Sequence, residues 1–146
     1  MNENEPIIKV LSDWLDTCPR IAAGVLRAEY LGKTDNDFTI DTVPTEPVIK
    51  RYIDGSTLNQ FAFVIGSRQA YGEDTLQNIA NSGLFEDIAT WIRQQNATGT
   101  LPQLDDGMTA TKVEALTTTY LIEDNPDIFS ARYQIQCRLT YFKEAD

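Results

Sequence analysis

Residues 130–142 alternate between apolar and polar side chains without a break. Ala131, Tyr133, Ile135, Cys137, Leu139 and Tyr141 fall on one face of an extended chain, and Arg132, Gln134, Gln136, Arg138 and Thr140 on the other. A period of two belongs to a strand, because successive side chains of a pleated backbone point to opposite sides. A strand of this length with a single apolar face needs paired neighbours on its edges and an apolar cover on one side only. The remainder of the chain has to supply both.

Strand neighbours are visible in several places. Residues 48–53 and 60–67 are two β-rich runs separated by Asp54-Gly55-Ser56-Thr57, whose turn chemistry predicts an antiparallel pair. In the second run Phe61, Phe63 and Ile65 share one face while Ala62 and Val64 line the other. Two apolar faces predict a central strand with cover on each side. Residues 38–43 read as a short strand ahead of Pro44, after a turn at 32–37. Residues 112–122 are Thr-rich and β-prone, and the turn Glu123-Asp124-Asn125-Pro126-Asp127 joins them to the alternating strand. Residues 21–31 are ambiguous: Gly24 disfavours a helix, and the later part can pair as a strand.

The cover comes from amphipathic helices. One begins at Pro6, carries Ile7, Ile8, Leu11, Trp14 and Leu15 on one stripe, and is stopped by Pro19. A second is announced by the capping box Asp74-Thr75-Leu76-Gln77, with Leu76, Ile79 and Ala80 inward, and Gly83 is expected to break or kink it. Leu84, Phe85, Ile88, Trp91 and Ile92 then repeat at three-to-four spacing as far as Gln94-Gln95-Asn96. Residues 97–111, with Gly99, Pro102, Asp105, Asp106 and Gly107, read as a long acidic connection, and loops of that length are usually functional or disordered. The expectation is one domain over 1–146, of α+β class: a mostly antiparallel sheet with helices packed on one face.

Composition narrows the function. The 146 residues hold 12 Lys+Arg against 22 Asp+Glu, a formal charge of −10. Nucleic-acid backbones and anionic membranes are both bound through clustered basic residues, so neither is an expected partner. There is no histidine, which removes imidazole acid–base catalysis, Ser-His and Cys-His pairs and imidazole metal sites. Cys18 and Cys137 are too few for a disulfide scaffold or a four-cysteine zinc site; buried reduced thiols are the expected state, a bridge between them the alternative. The polar, acidic start Met1-Asn2-Glu3-Asn4-Glu5-Pro6 is unlike a signal peptide.

No motif carries catalysis. Asp35, Asp37 and Asp41 with Glu46 fit part of a calcium loop, but Ile40 stands where that loop needs glycine and Pro44 intrudes. Asp105-Asp106 and Glu123-Asp124 with Asp127 read as solvated turns, and Gly66 and Gly72 match neither a phosphate loop nor a dinucleotide fingerprint. Cys18 has neither a histidine nor a cationic cluster near it in sequence to activate it. No catalytic, cofactor-binding or metal-ligating residue is therefore named. The candidates for subunit or partner contact are Asp105 and Asp106 in the acidic connection, and Arg132 and Arg138 on the polar face of the last strand.

Residues 78–96, the run Gly99-Thr100-Leu101-Pro102 and the ending at 131–141 resemble a small protein family of phages and prophages of Gram-positive bacteria. That family is labelled minor capsid protein or, misleadingly, chloramphenicol resistance protein, and is similar in size and organisation to the tail terminators of long-tailed phages. The resemblance covers roughly residues 60 to 142 and rests on structural words rather than catalytic ones. It implies a structural virion protein of the head–tail neck that caps the tail tube as a ring, commonly six-fold, possessing no catalytic residues and no cofactor. The implied partners are copies of itself, the tail tube protein and the head–tail connector protein, with DNA passing through the ring and the chain a monomer in solution before assembly. Two other classes stand beside it: a stand-alone acidic protein-binding module, and an enzyme, the literal sense of the resistance label. Drug acetylation commonly uses a catalytic histidine, which this chain lacks.

Overall fold

The alternating segment is the middle of the protein. In a computed structural model, which describes residues 6–22, 25–28, 37–70, 75–117, 120–125 and 130–145, the strand β7 (Ser130–Lys143) pairs antiparallel with β4 (Thr57–Ala70) along the whole length of both. The outer edge of β4 is shared by β2 (Asp37–Val43), which pairs with residues 62–67, and β3 (Val48–Arg51), which pairs with residues 57–59. The outer edge of β7 is shared by β5 (Met108–Ala115) and β6 (Tyr120–Asn125). A short strand β1 (Val25–Ala28) adds in parallel to β2 and completes a seven-stranded sheet of order β1-β2-β4-β7-β5, with β3 and β6 filling the ends. The α+β class expected from the sequence is the observed one, with a single parallel pair at the edge.

Three helices pack on one side of this sheet: α1 (Ile7–Leu15), α2 (Pro19–Ala22) and α3 (Thr75–Thr98). Leu11, Trp14 and Leu15 of α1, Ile21 of α2, and Leu84, Phe85, Ile88 and Ile92 of α3 meet Phe38, Ile40, Phe63, Ile65, Ile135 and Leu139 in one core cluster. Burying each such side chain contributes about 1.5–3 kcal/mol. Cys18 and Cys137 lie in the same cluster as free, buried thiols, and burial pushes the Cys137 thiol up to about 12. A thiol so held is an apolar filler rather than a nucleophile.

Several expectations are corrected. Pro6 caps α1 from outside instead of opening it, and Pro19 starts α2 instead of stopping α1, which ends at Leu15 with the Thr17 and Cys18 amides donating to the Trp14 and Leu15 carbonyls. Gly83 does not break α3, which runs from Thr75 to Thr98. A glycine costs a helix about 1 kcal/mol, and the burial of Leu84, Phe85, Ile88 and Ile92 around it outweighs that. The turn expected at 123–127 is also corrected, because Glu123, Asp124 and Asn125 pair with β7 as the end of β6; Pro126 and Asp127 lie outside the described residues, as do the capping residue Asp74 and Gly72.

The helix runs on to Thr98, and Gly99 at φ +74° ends it. The Gly99 amide donates to the Asn96 carbonyl (3.3 Å) and the Thr100 amide to the Gln95 carbonyl (2.9 Å), the paired reverse bonds of a Schellman ending. The connection to β5 therefore spans residues 99–107, well short of the expected 97–111. It is packed rather than free, with Pro102 buried and Leu101 and Leu104 against the core.

The Thr-rich run also divides. β5 starts four residues early at Met108, bulges between Ala110 and Lys112, and leaves β7 after the Leu116 amide donates to the Gln136 carbonyl (2.7 Å). The Gln136 amide then donates to the Thr117 hydroxyl (3.1 Å), so a side chain replaces the next carbonyl of the ladder. The two apolar faces of β4 do not imply two layers: all three helices cover the side of Phe63 and Ile65, while Ala62 and Val64 lie among Val43, Asp41, Gln136 and Arg138 on the other.

Two glycines of one helix are expected to respond in opposite directions. A methyl group at Gly83 meets nothing within 4 Å, so Gly83→Ala should stabilise the fold by about 0.5–1 kcal/mol. Gly99→Ala must hold a left-handed backbone and should cost about 1 kcal/mol. Thermal melts of the two variants check both signs.

Candidate contact surfaces

The four sequence candidates do not converge. Asp105 and Asp106 sit just ahead of β5, whose first residue Met108 pairs with Lys143 at the last residue of β7. Arg132 pairs with Arg68 and Glu123 near the opposite end, and its side chain is outside the described set. Arg138 lies between, six residues or about 20 Å along the strand from Arg132.

Arg138 is engaged within its own chain. It lies between Ala62 of β4 and Glu114 of β5 in the sheet register. Its Nη2 donates to Glu114 Oε1 and its Nη1 to Gln60 Oε1 (3.5 Å), while Lys112 Nζ lies 3.5 Å from Glu114 Oε2. Burial pushes the Glu114 carboxyl up, but the Arg138 hydrogen bond and the charges of Lys112 and Arg138 outweigh it and hold the carboxyl below its ordinary value. Replacing Arg138 with Glu would set two carboxylates side by side, so that substitution reads out folding as much as contact.

Asn96, which the sequence marks only as the polar end of the apolar repeat, stands on the last turns of α3 and reaches the outer edge of β5. Its Oδ1 accepts the Val113 amide (3.0 Å), and its Nδ2 donates to the carbonyls of Val113 and Ile92. One side-chain amide thus supplies both halves of the missing strand partner. Open strand edges invite pairing with another chain, and this edge is closed at its midpoint. The signal in the sequence was an Asn at the end of an amphipathic helix, a position where it also serves as an ordinary polar terminus.

Two surface features remain at the end of the sheet where β3, β4 and β7 finish together. The first is the β3–β4 turn, where Gly55 takes φ +93° and Asp54 accepts from the amide (2.9 Å) and hydroxyl of Ser56. It displays Ile53 fully exposed (106%), beside Tyr52 and Phe142, whose rings lie 6.2 Å apart. Tyr141 faces the core, so Phe142 and the hollow it shares with Tyr52 and Ile53 lie on the side away from the helices. The second is a cleft of ≈ 320 Å³ on the helix side, floored by Val10, Trp14, Leu101 and Pro102 and edged by Asp13 and Asp105. Beside it Trp14 Nε1 donates to the Thr100 carbonyl (3.0 Å) and the Trp14 ring packs on Trp91, tilted by 47° with centroids 4.8 Å apart, which binds α1 to the end of α3.

Among the described residues no group of three or more Cys, Asp or Glu side chains is placed to hold a metal ion. The middle of the partial calcium loop is drawn out straight as β2, with residues 38–43 paired residue by residue with β4, and Asp35 lies outside the described residues. Among the described residues no helix is long and apolar enough to cross a membrane. No protein-family model matches the chain, and no curated protein matches it.

Two substitutions test these arrangements. Asn96→Ala orphans the Val113 amide and carbonyl and should cost about 1–3 kcal/mol, read as a lower melting temperature. For Glu114 the folded state holds the carboxyl below its ordinary value of 4.5, so the unfolded chain binds the proton more readily. Its stabilisation is present above about pH 4.5 and is lost as the pH falls through the lower folded value. The stability gap between the wild type and Glu114→Gln should therefore close on acidification, measured by denaturant melts across pH 3 to 7.

Proposed function

We propose that this chain is a structural subunit of the head–tail neck of a long-tailed phage. In this reading it is a tail terminator that assembles with copies of itself into a ring, ends tail-tube growth and meets the head connector. The observation that carries the reading is where the resemblance falls. Its three stretches are most of α3, the Schellman ending that leads to Pro102, and β7. These are the elements on which the core is built, so the resemblance bears on the fold of the whole domain and not on one surface motif.

The charge supports the same reading. A subunit at −10 repels phosphates, and a ring of such subunits lets DNA slide through without adhering. No catalytic step is assigned.

Electron microscopy of particles made after deletion of the gene tests the proposal. Overlong or unjoined tails beside filled heads are expected. Normal complete virions would overturn the assembly role and leave a protein-binding module with another partner.

A further inference from the structure

Two Asp-Gly pairs stand in turns of this chain, Asp54-Gly55 and Asp106-Gly107, and hydrogen bonding separates them. We infer that Asp106 is a site of spontaneous backbone modification, isomerising to isoaspartate in the folded protein, and that Asp54 is protected from the same reaction. This inference does not depend on the neck reading.

The reaction needs only the chain and water. The amide nitrogen of the residue after an aspartate attacks the side-chain Cγ, and the new C–N bond closes a succinimide ring. The hydroxyl of the protonated carboxyl leaves with the amide proton as water. A second water then opens the ring at either carbonyl. One opening restores aspartate. The other leaves the main chain running through Cγ, with the former main-chain carboxyl as the side group. One water is lost and one regained, and nothing is oxidised or reduced. Glycine suits the following position because it has no Cβ to crowd the attacking nitrogen and its backbone turns freely.

In dipeptide, exposure and backbone the two sites match. Both aspartates are exposed, and both glycines are left-handed, Gly55 at φ +93° and Gly107 at φ +85°. At Asp54, however, both reacting groups are engaged. The Gly55 amide donates to the Tyr52 carbonyl (3.1 Å), and Asp54 Oδ1 accepts from the Ser56 amide (2.9 Å) and hydroxyl. The Tyr52 amide donates to the Ser56 carbonyl (2.9 Å) and closes the loop around them. The Ser56 hydroxyl first, and its amide second, also hold the Asp54 carboxyl below its ordinary value. That keeps it ionised, and an ionised carboxylate has no hydroxyl to lose.

Asp106 lacks these restraints. Among the described residues neither the Asp106 carboxylate nor the Gly107 amide has a hydrogen-bond partner, so neither must break a bond to react. A single backbone bond closes the turn, from the Met108 amide to the Asp105 carbonyl (3.0 Å). Isomerisation adds one carbon to the main chain just ahead of β5. There the Gly107 carbonyl accepts from the Glu144 amide (2.8 Å) and ties the end of the chain to the sheet.

The full-length protein, aged in mildly acidic buffer and then digested, tests the inference by electron-transfer mass spectrometry, which distinguishes the two linkages. In the folded protein isoaspartate should accumulate at 106 at least several-fold faster than at 54. In chains aged unfolded in urea the two sites should react at comparable rates, because the dipeptide is the same. Ser56→Ala should raise the yield at 54 several-fold and leave 106 unchanged. Asp106→Glu, which would have to close a larger ring, should abolish the modification at 106. Comparable yields at both sites in the folded protein, an excess at 54, or isoaspartate at 106 only in the unfolded chain overturns the inference. An excess at 106 that persists unchanged in urea also overturns it, because the dipeptide's neighbours in sequence would then set the rate. An unchanged yield at 54 in Ser56→Ala removes the protection assigned to Asp54.

Discussion

The full-length antiparallel pairing of β4 with β7 is the constraint on which everything else hangs. All fourteen residues of one strand are matched to all fourteen of the other, from Thr57 opposite Lys143 to Ala70 opposite Ser130. Because the side-chain period is two, that register puts Phe63, Ile65, Ile135, Cys137 and Leu139 on one face together. A slip of β7 by one residue would turn Ile135, Cys137 and Leu139 away from the face of Phe63 and Ile65. The two outer edges of this central pair are each too long for one partner and are tiled by two: β2 and β3 on one side, β5 and β6 on the other. The break between β5 and β6 makes the step at Thr117, and β3, β5 and β6 each carry a register shift within their own pairing.

One face of the pair is dry and the other polar, and the two faces do different work. The helix side holds the core, and its helices are bound to one another through Trp14, Trp91 and the Thr100 carbonyl. The open side is organised by charge, with Glu114, Arg138, Lys112 and Gln60 joined across three strands. Arg138 Nε and Thr140 Oγ1 on this side are buried without a protein partner, which is where ordered water or a neighbouring chain would be accommodated. At the close of β3, β4 and β7 the sheet no longer buries all of its own apolar residues, and Ile53 stands fully exposed there.

The fold was legible where a periodic pattern ran long enough to speak for itself. The alternation at 130–142, the stripe of α1 and the spacing from Leu84 to Ile92 all reappear as β7, α1 and the second half of α3. The misreadings have a common origin. Gly83, the 97–111 connection and the two faces of β4 were each judged by local propensity, and tertiary burial outweighed it. Of the contact candidates, Asp105 edges the cleft, whereas Arg138 proved to be held by Glu114. Asn96 escaped notice because the partner that gives it meaning, Val113, is distant in sequence and adjacent only in the folded chain.

By itself the sequence determined the class of the fold, the identity of its longest strand, the membership of most of the core and the acidic, histidine-free chemistry of the chain. These follow from hydrophobic periodicity and composition, which are properties of the chain read in order. Only the tertiary structure decided which strands tile which edge, that α3 runs unbroken through Gly83, that Asn96 closes the β5 edge, and that the Ile53 turn and the Trp14 cleft lie on opposite sides of the sheet. Each of these depends on residues far apart in sequence meeting at hydrogen-bonding or van der Waals distance. That meeting is fixed by the register of the long-range β4–β7 pair, which no local pattern encodes.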